Sequence, residues 1–234
     1  MAIVGPTGAG KSQLLYDIER LAQKDTKSKR KIFVNDRVPS KKLRFNPKQK
    51  LIASLAQSMN FLTDMIVENF LKLHLESRGR KARPGLFEEV INEANEITGE
   101  AILPNMNLLS LSGGQSRALM VSDVANISIS PIILIDEIEN AGIKKEKAIE
   151  VLVKEGKIVL IVTHDPSLAL NADKRIVIKD GGIVKILETT DKEKEIADYL
   201  SWIENHSLDT REKIRQGEEI KDIGIDCKQI KKDE

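Results

Sequence analysis

Eight residues near the start of the chain, Gly5-Pro6-Thr7-Gly8-Ala9-Gly10-Lys11-Ser12, have the types and spacing to hold a phosphate. They follow the pattern G-x-x-x-x-G-K-[ST] between an apolar run and a helical one. Glycines let successive backbone N–H groups turn inward around an anion, where side chains would collide. The helix that such a loop opens presents its positive end to the same anion. Lys11 would reach the β- and γ-phosphates of a nucleotide, and the Ser12 hydroxyl would ligate Mg²⁺. Ile132-Ile133-Leu134-Ile135-Asp136-Glu137 supplies the other half of such a site. A buried strand delivers Asp136 to its carboxyl end, where α/β sheets place their ligands, and Asp136 would hold Mg²⁺ through water.

Two further motifs complete a set. Leu111-Ser112-Gly113-Gly114-Gln115 stands ahead of a helical segment, and Thr163-His164-Asp165 follows the apolar run from Ile158 to Val162. Ser112 and the Gly113 and Gly114 amides present donors at a helix N-terminus, a ready anion site. In this order the four motifs resemble the ATP-binding cassette (ABC) ATPases, and the resemblance runs from the first residues to about Leu187. It implies the fold of the family: a P-loop NTPase parallel sheet with an inserted helical subdomain. It also implies a Mg²⁺-dependent ATPase, with ATP bound by Gly5 to Ser12 of one chain and by Ser112, Gly113, Gly114 and Gln115 of another. Two cassettes, a homodimer in the simplest case, then close head-to-tail over two ATP molecules. Glu137 resembles the general base that polarises the attacking water, and His164 the switch histidine that contacts the γ-phosphate. Gln57, after the run Leu51 to Leu55, resembles the glutamine that links the Mg²⁺ site to the helical subdomain.

The chain departs from the family pattern at three places. Only four residues precede Gly5, so the aromatic residue that stacks on adenine has no counterpart. Either the start is truncated, or adenine is held some other way, for example by Tyr16 or by a partner. Ile138 stands where a proline is usual after the glutamate. The loop Glu139-Asn140-Ala141-Gly142-Ile143 lacks the usual aspartate that speaks to the opposite site.

The elements that must position these motifs are legible as hydrophobic patterns. Ile132 to Ile135 and Ile158 to Val162 are continuous apolar runs, as strands buried on both faces of a parallel sheet require. Further strands are predicted at Ile32 to Val34 with a turn at Asn35-Asp36, and at Leu51 to Leu55. Two more, Arg175 to Ile178 and Ile183 to Ile186, meet at Gly181-Gly182 as a hairpin. Leu14, Leu15, Ile18 and Leu21-Ala22 recur at helical spacing after Lys11. From Thr63 to Leu108 the pattern is helical: Ile66, Val67, Phe70, Leu71, Leu73 and Leu75 form one stripe, and Leu86, Phe87, Val90, Ile91, Ala94 and Ile97 another. The expected organisation is an ATPase domain over 1–187, with a helical subdomain inserted at about 58–110. A charged tail over 188–234 follows, in which Ile196, Leu200 and Ile203 could line a helix.

Composition narrows the class. With 41% hydrophobic residues in 234, the chain can bury one sizeable core. Lys+Arg 37 against Asp+Glu 36 argues against broad capture of nucleic acid. Lys24 to Arg30 and Arg78 to Arg83 read as solvated loops. His74 and His206 read as surface or satisfied core histidines. The lone Cys227 fits a reducing compartment. No apolar run reaches the ~18 residues of a membrane span, and no signal peptide is read. The expected location is cytoplasmic, at the inner face of a membrane only through a partner. Within the resembled family the leading expectation is the energising subunit of an ABC transporter. The alternative is a soluble ABC ATPase that remodels or assembles a cytoplasmic client such as a metalloenzyme. Met59, Phe61, Leu62, Met65 and Phe70 are the apolar candidates for contacting a partner.

Overall fold

The computed structural model describes residues 1–46, 50–56, 60–138, 142–154 and 156–220. Gln57, Met59, Glu139, Asn140, Ala141 and Cys227 lie outside them. The apolar runs form one six-stranded sheet: β1 (Ala2–Val4), β2 (Ile52–Leu55), β3 (Ile132–Asp136), β4 (Ile158–Val162), β5 (Lys174–Lys179) and β6 (Gly182–Glu188). Its order is β2-β3-β4-β1-β5-β6. The first five are mutually parallel, and β6 returns antiparallel to β5 across the Asp180-Gly181 turn.

Side chains of successive strand residues point to opposite faces, so the sheet divides the core in two. Ile133, Ile135 and Ile161 face one cluster, which holds Val67, Leu71, Leu75, Val90, Ala94 and Leu119. Ile3, Leu134, Leu160 and Val162 face the other, with Leu14 and Leu15. Helix α1 (Lys11–Glu19) covers that second face, and α2 (Lys41–Phe45) is a short turn capped by Ser40. Between β2 and β3 come α3 (Val67–Ser77), α4 (Leu86–Thr98) and α5 (Gly113–Asn126). Helices α6 (Lys145–Lys154), α7 (Pro166–Asn171) and α8 (Asp191–Arg215) complete the chain.

Three sequence expectations need correction. Ile32 to Val34 is not a strand. Val34 exchanges both backbone hydrogen bonds with Arg37 around the expected Asn35-Asp36 turn, while Ile32 N–H donates to the Ala22 carbonyl. Its partners are local, so the segment never joins the sheet. Helix α1 stops at Glu19, and Leu21 takes a positive φ of 48° that starts the next loop. Leu73 is 54% exposed and leaves the α3 stripe, because a step of two residues from Leu71 crosses to the far side of a helix.

Candidate nucleotide-binding site

Strand register brings the motifs together. Asp136 pairs with Val162, and Val162 pairs with Ile3, forming a row across β3, β4 and β1. One step further, Glu137 N–H donates to the Val162 carbonyl and Thr163 N–H to the Ile3 carbonyl. Neighbouring strands lie about 4.8 Å apart, so the ends of β3 and β1 stand on either side of β4, roughly 10 Å from each other. Glu137, His164 and the loop Gly5 to Ser12 therefore emerge at one edge. They line a cleft of about 280 Å³ with Thr7, Gly8, Gly10, Lys11, Ser12, Gln13, Glu137 and His164 in its wall.

The loop is shaped by what lies behind it. A Cβ on Gly5 would stand 2.2 Å from the Ile178 carbonyl oxygen, so only glycine lets the chain cross β5 there. Gly10 takes a φ of 93° ahead of the first turn of α1. Gly181 N–H donates to the Ala9 carbonyl at 3.0 Å, which braces the loop against the β5–β6 turn. Lys11 Nζ donates to the Gly5 and Pro6 carbonyls at 2.8 and 3.0 Å. Two of the three N–H donors of the ammonium are thereby engaged by its own loop.

Around this lies a network that sequence reasoning missed. Asp17 on α1 is fully buried and accepts hydrogen bonds from Gln13, Ser28 and Arg30, while Arg30 also donates to the Gly181 carbonyl. Burial would raise the Asp17 carboxyl, but these donors hold it below its ordinary value. No local motif marks this carboxylate, since Arg30 lies in a lysine-rich loop that reads as solvated.

Glu137 adopts a φ of 52°, a left-handed conformation uncommon outside glycine. Its Oε1 lies 3.6 Å from His164 Nε2. Asp136 Oδ1 is buried with no hydrogen-bond partner among the described residues. A buried carboxylate oxygen without a partner at the end of β3 fits a cation ligand, although Asp136 itself is not in the wall of the cleft. Ile138 is 7% exposed and packs into the first core cluster, which accounts for an apolar residue in the place of proline.

Ser112, Gly113, Gly114 and Gln115 are not in the wall of this cleft. They open α5 with a capping box: Ser112 Oγ accepts from Gln115 N–H at 3.1 Å, and Gln115 Oε1 accepts from Ser112 N–H at 2.9 Å. Ser112 Oγ also donates to Glu100 at 3.0 Å, and Gln115 Nε2 to the Ala101 carbonyl at 2.9 Å. Tyr16 stands on α1 with the Arg20 guanidinium over its ring at 4.4 Å. His74 bonds the buried Asp123 and accepts from Arg78, and His206 contacts the Trp202 carbonyl; both lie outside the cleft. Gln57 lies outside the described residues.

A family model described as ABC transporter matches residues 1–140. The ABC transporter ATP-binding protein MJ0121 of Methanocaldococcus jannaschii is 57% identical over 220 residues, which is 94% of this chain and 84% of that one. This chain belongs to the ABC transporter ATP-binding family. As an ABC ATPase it binds and hydrolyses ATP. The cassette is also 27% identical over 222 residues to a macrolide export ATP-binding/permease protein MacB of Psychrobacter arcticus, of which it spans 31%. Among solved structures it resembles the dimeric ATP-binding cassette MJ0796 in a post-hydrolysis state bound to ADP and Pi. The TM-score is 0.62 and the identity 25%, covering 81% of this chain and 84% of that one. Among the described residues, no helix of the cassette is long and apolar enough to cross a membrane.

Proposed function

We propose that the cassette binds ATP in the cleft between Lys11, Glu137 and His164, and completes the site with Ser112 to Gln115 of a second copy. The observation that carries this reading is the separation itself: three motifs share one cleft and the fourth opens a helix elsewhere. The loop Gly5-Pro6-Thr7-Gly8-Ala9-Gly10-Lys11-Ser12 cradles the phosphates with backbone N–H groups. Ser12 and Asp136 would hold Mg²⁺, with Gln57 as a further ligand. When bound, the ion neutralises charge on the β- and γ-phosphate oxygens. Glu137 orients the attacking water and takes its proton, and His164 contacts the γ-phosphate. Positioning and electrostatic stabilisation do most of the work in such a transfer.

The named relatives support a role as the energising subunit of a transporter, with a membrane subunit as partner and a position at the inner face of the membrane through it. Leu62 is 93% exposed, next to Phe61, whose ring packs edge-on against Phe70 at 4.9 Å. Among the described candidates Phe61, Leu62, Met65 and Phe70, Leu62 is the exposed one, and it is the side chain offered to a partner. Glu137→Gln tests the chemistry. Turnover should fall by at least about a hundredfold while nucleotide affinity is kept; wild-type turnover would remove Glu137 from its role.

A further inference from the structure

A charged cluster outside the cleft ties three helices to the loop that carries His164. Lys145, the first residue of α6, has a side chain only 9% exposed, and its ammonium contacts both Asp165 of the switch loop and Glu204 of α8. Burial alone would lower the Lys145 ammonium, yet the two carboxylates hold it above the ordinary lysine value. Asp165 is engaged on both oxygens. Oδ1 caps α7, accepting from Ser167 N–H at 2.8 Å and Ser167 Oγ at 2.7 Å, while Oδ2 meets Lys145. Its own N–H donates to Thr163 Oγ1 at 2.9 Å. His164 is thus pinned between Thr163, which is bonded to β1, and Asp165, which is bonded to Lys145.

We infer that Lys145 is a positioning residue for His164, and that Glu204 couples the C-terminal helix α8 to the switch loop. The inference rests on the reading of His164 as the γ-phosphate contact. A purely structural role is a poor account of the cluster. Burying an ammonium is costly, and a packed apolar side chain would join α6, α7 and α8 at least as well. What the charges add is directional constraint on Asp165, one residue from the ring that stands 3.6 Å from Glu137. Displacing a reacting group by about an ångström costs up to about a hundredfold in rate.

The test uses the full chain and measures kcat, ATP affinity and melting temperature for Lys145→Met, Lys145→Arg, Glu204→Gln and His164→Ala. Lys145→Met should lower kcat about ten- to a hundredfold with ATP affinity unchanged. Lys145→Arg should recover most of the rate, and Glu204→Gln should fall between. Added to His164→Ala, Lys145→Met should lower the residual rate no further. Unchanged kcat in Lys145→Met, or an equal loss in the His164→Ala background, overturns the inference while leaving the role of His164 intact. Wild-type turnover by His164→Ala would remove that role and the inference with it. Should Lys145→Met not fold, an unchanged kcat in Glu204→Gln overturns the coupling to α8.

Discussion

Asp17 shows how a single buried charge can hold a phosphate loop in shape without touching phosphate. Its carboxylate gathers Gln13, Ser28 and Arg30, and Arg30 reaches on to Gly181, whose N–H braces Ala9. Hydrogen bonds to a charged group contribute about 2 kcal/mol net, so Asp17→Asn should destabilise the fold by about that amount at pH 7. Because the folded-state pKa lies below the unfolded one, this stability is fully present above the unfolded value. It is lost as pH falls through the folded value. The gap in melting temperature between wild type and Asp17→Asn should therefore persist down to about pH 4 and close in more acidic buffer. A gap that stays constant into strong acid would show that Asp17 does not act through its charge. Glu137 takes a left-handed φ of 52° and stands in the wall of the cleft.

At the scale of elements, α5 opens with the Ser112 to Gln115 motif, and its Gly114 lies close against Gly142 and Thr98. A Cβ on Gly114 would stand 2.8 Å from the Gly142 carbonyl oxygen and 3.4 Å from Thr98 Oγ1. Gly114→Ala should shift that contact and cost about 1–3 kcal/mol of stability. Gly113→Ala, with nothing within 4 Å of its Cβ, should leave thermal melting unchanged or slightly raised. Equal melting temperatures for the two variants would mean that the approach to Gly142 is not a constraint. Strands β3 and β4 are legible in the sequence as continuous apolar runs ending in motifs, and helices α1 and α5 are legible because a motif stands at the start of each. Helices α2, α6 and α7 carry no comparable signal, and the segment Ile32 to Val34 carries a misleading one. α6 offers only Ala148, Val151 and Leu152 as buried apolar residues in a charged stretch, and α7 is six residues long. Ile32 to Val34 has strand-like residues, but its partners are its own neighbours. Likewise the cleft residues could be named from motifs, whereas the Asp17 and Lys145 networks join residues far apart in sequence.

The whole molecule is half of a machine in the proposed reading. One copy holds Lys11, Glu137 and His164 around a cleft, and its Ser112 caps a helix beside Glu100, outside that cleft. In a head-to-tail dimer each Ser112 would exchange Glu100 for the γ-phosphate on the opposite copy, and closure would be the stroke delivered to a partner. The most direct test is the molar mass of Glu137→Gln by light scattering, with and without ATP and Mg²⁺, alongside a Glu137→Gln/Ser112→Arg double variant. The account predicts an ATP-dependent dimer for the single variant. The double variant should remain monomeric while still binding one nucleotide per chain. A double variant that dimerises as well as the single one, or that loses nucleotide binding altogether, would contradict a site shared between two copies.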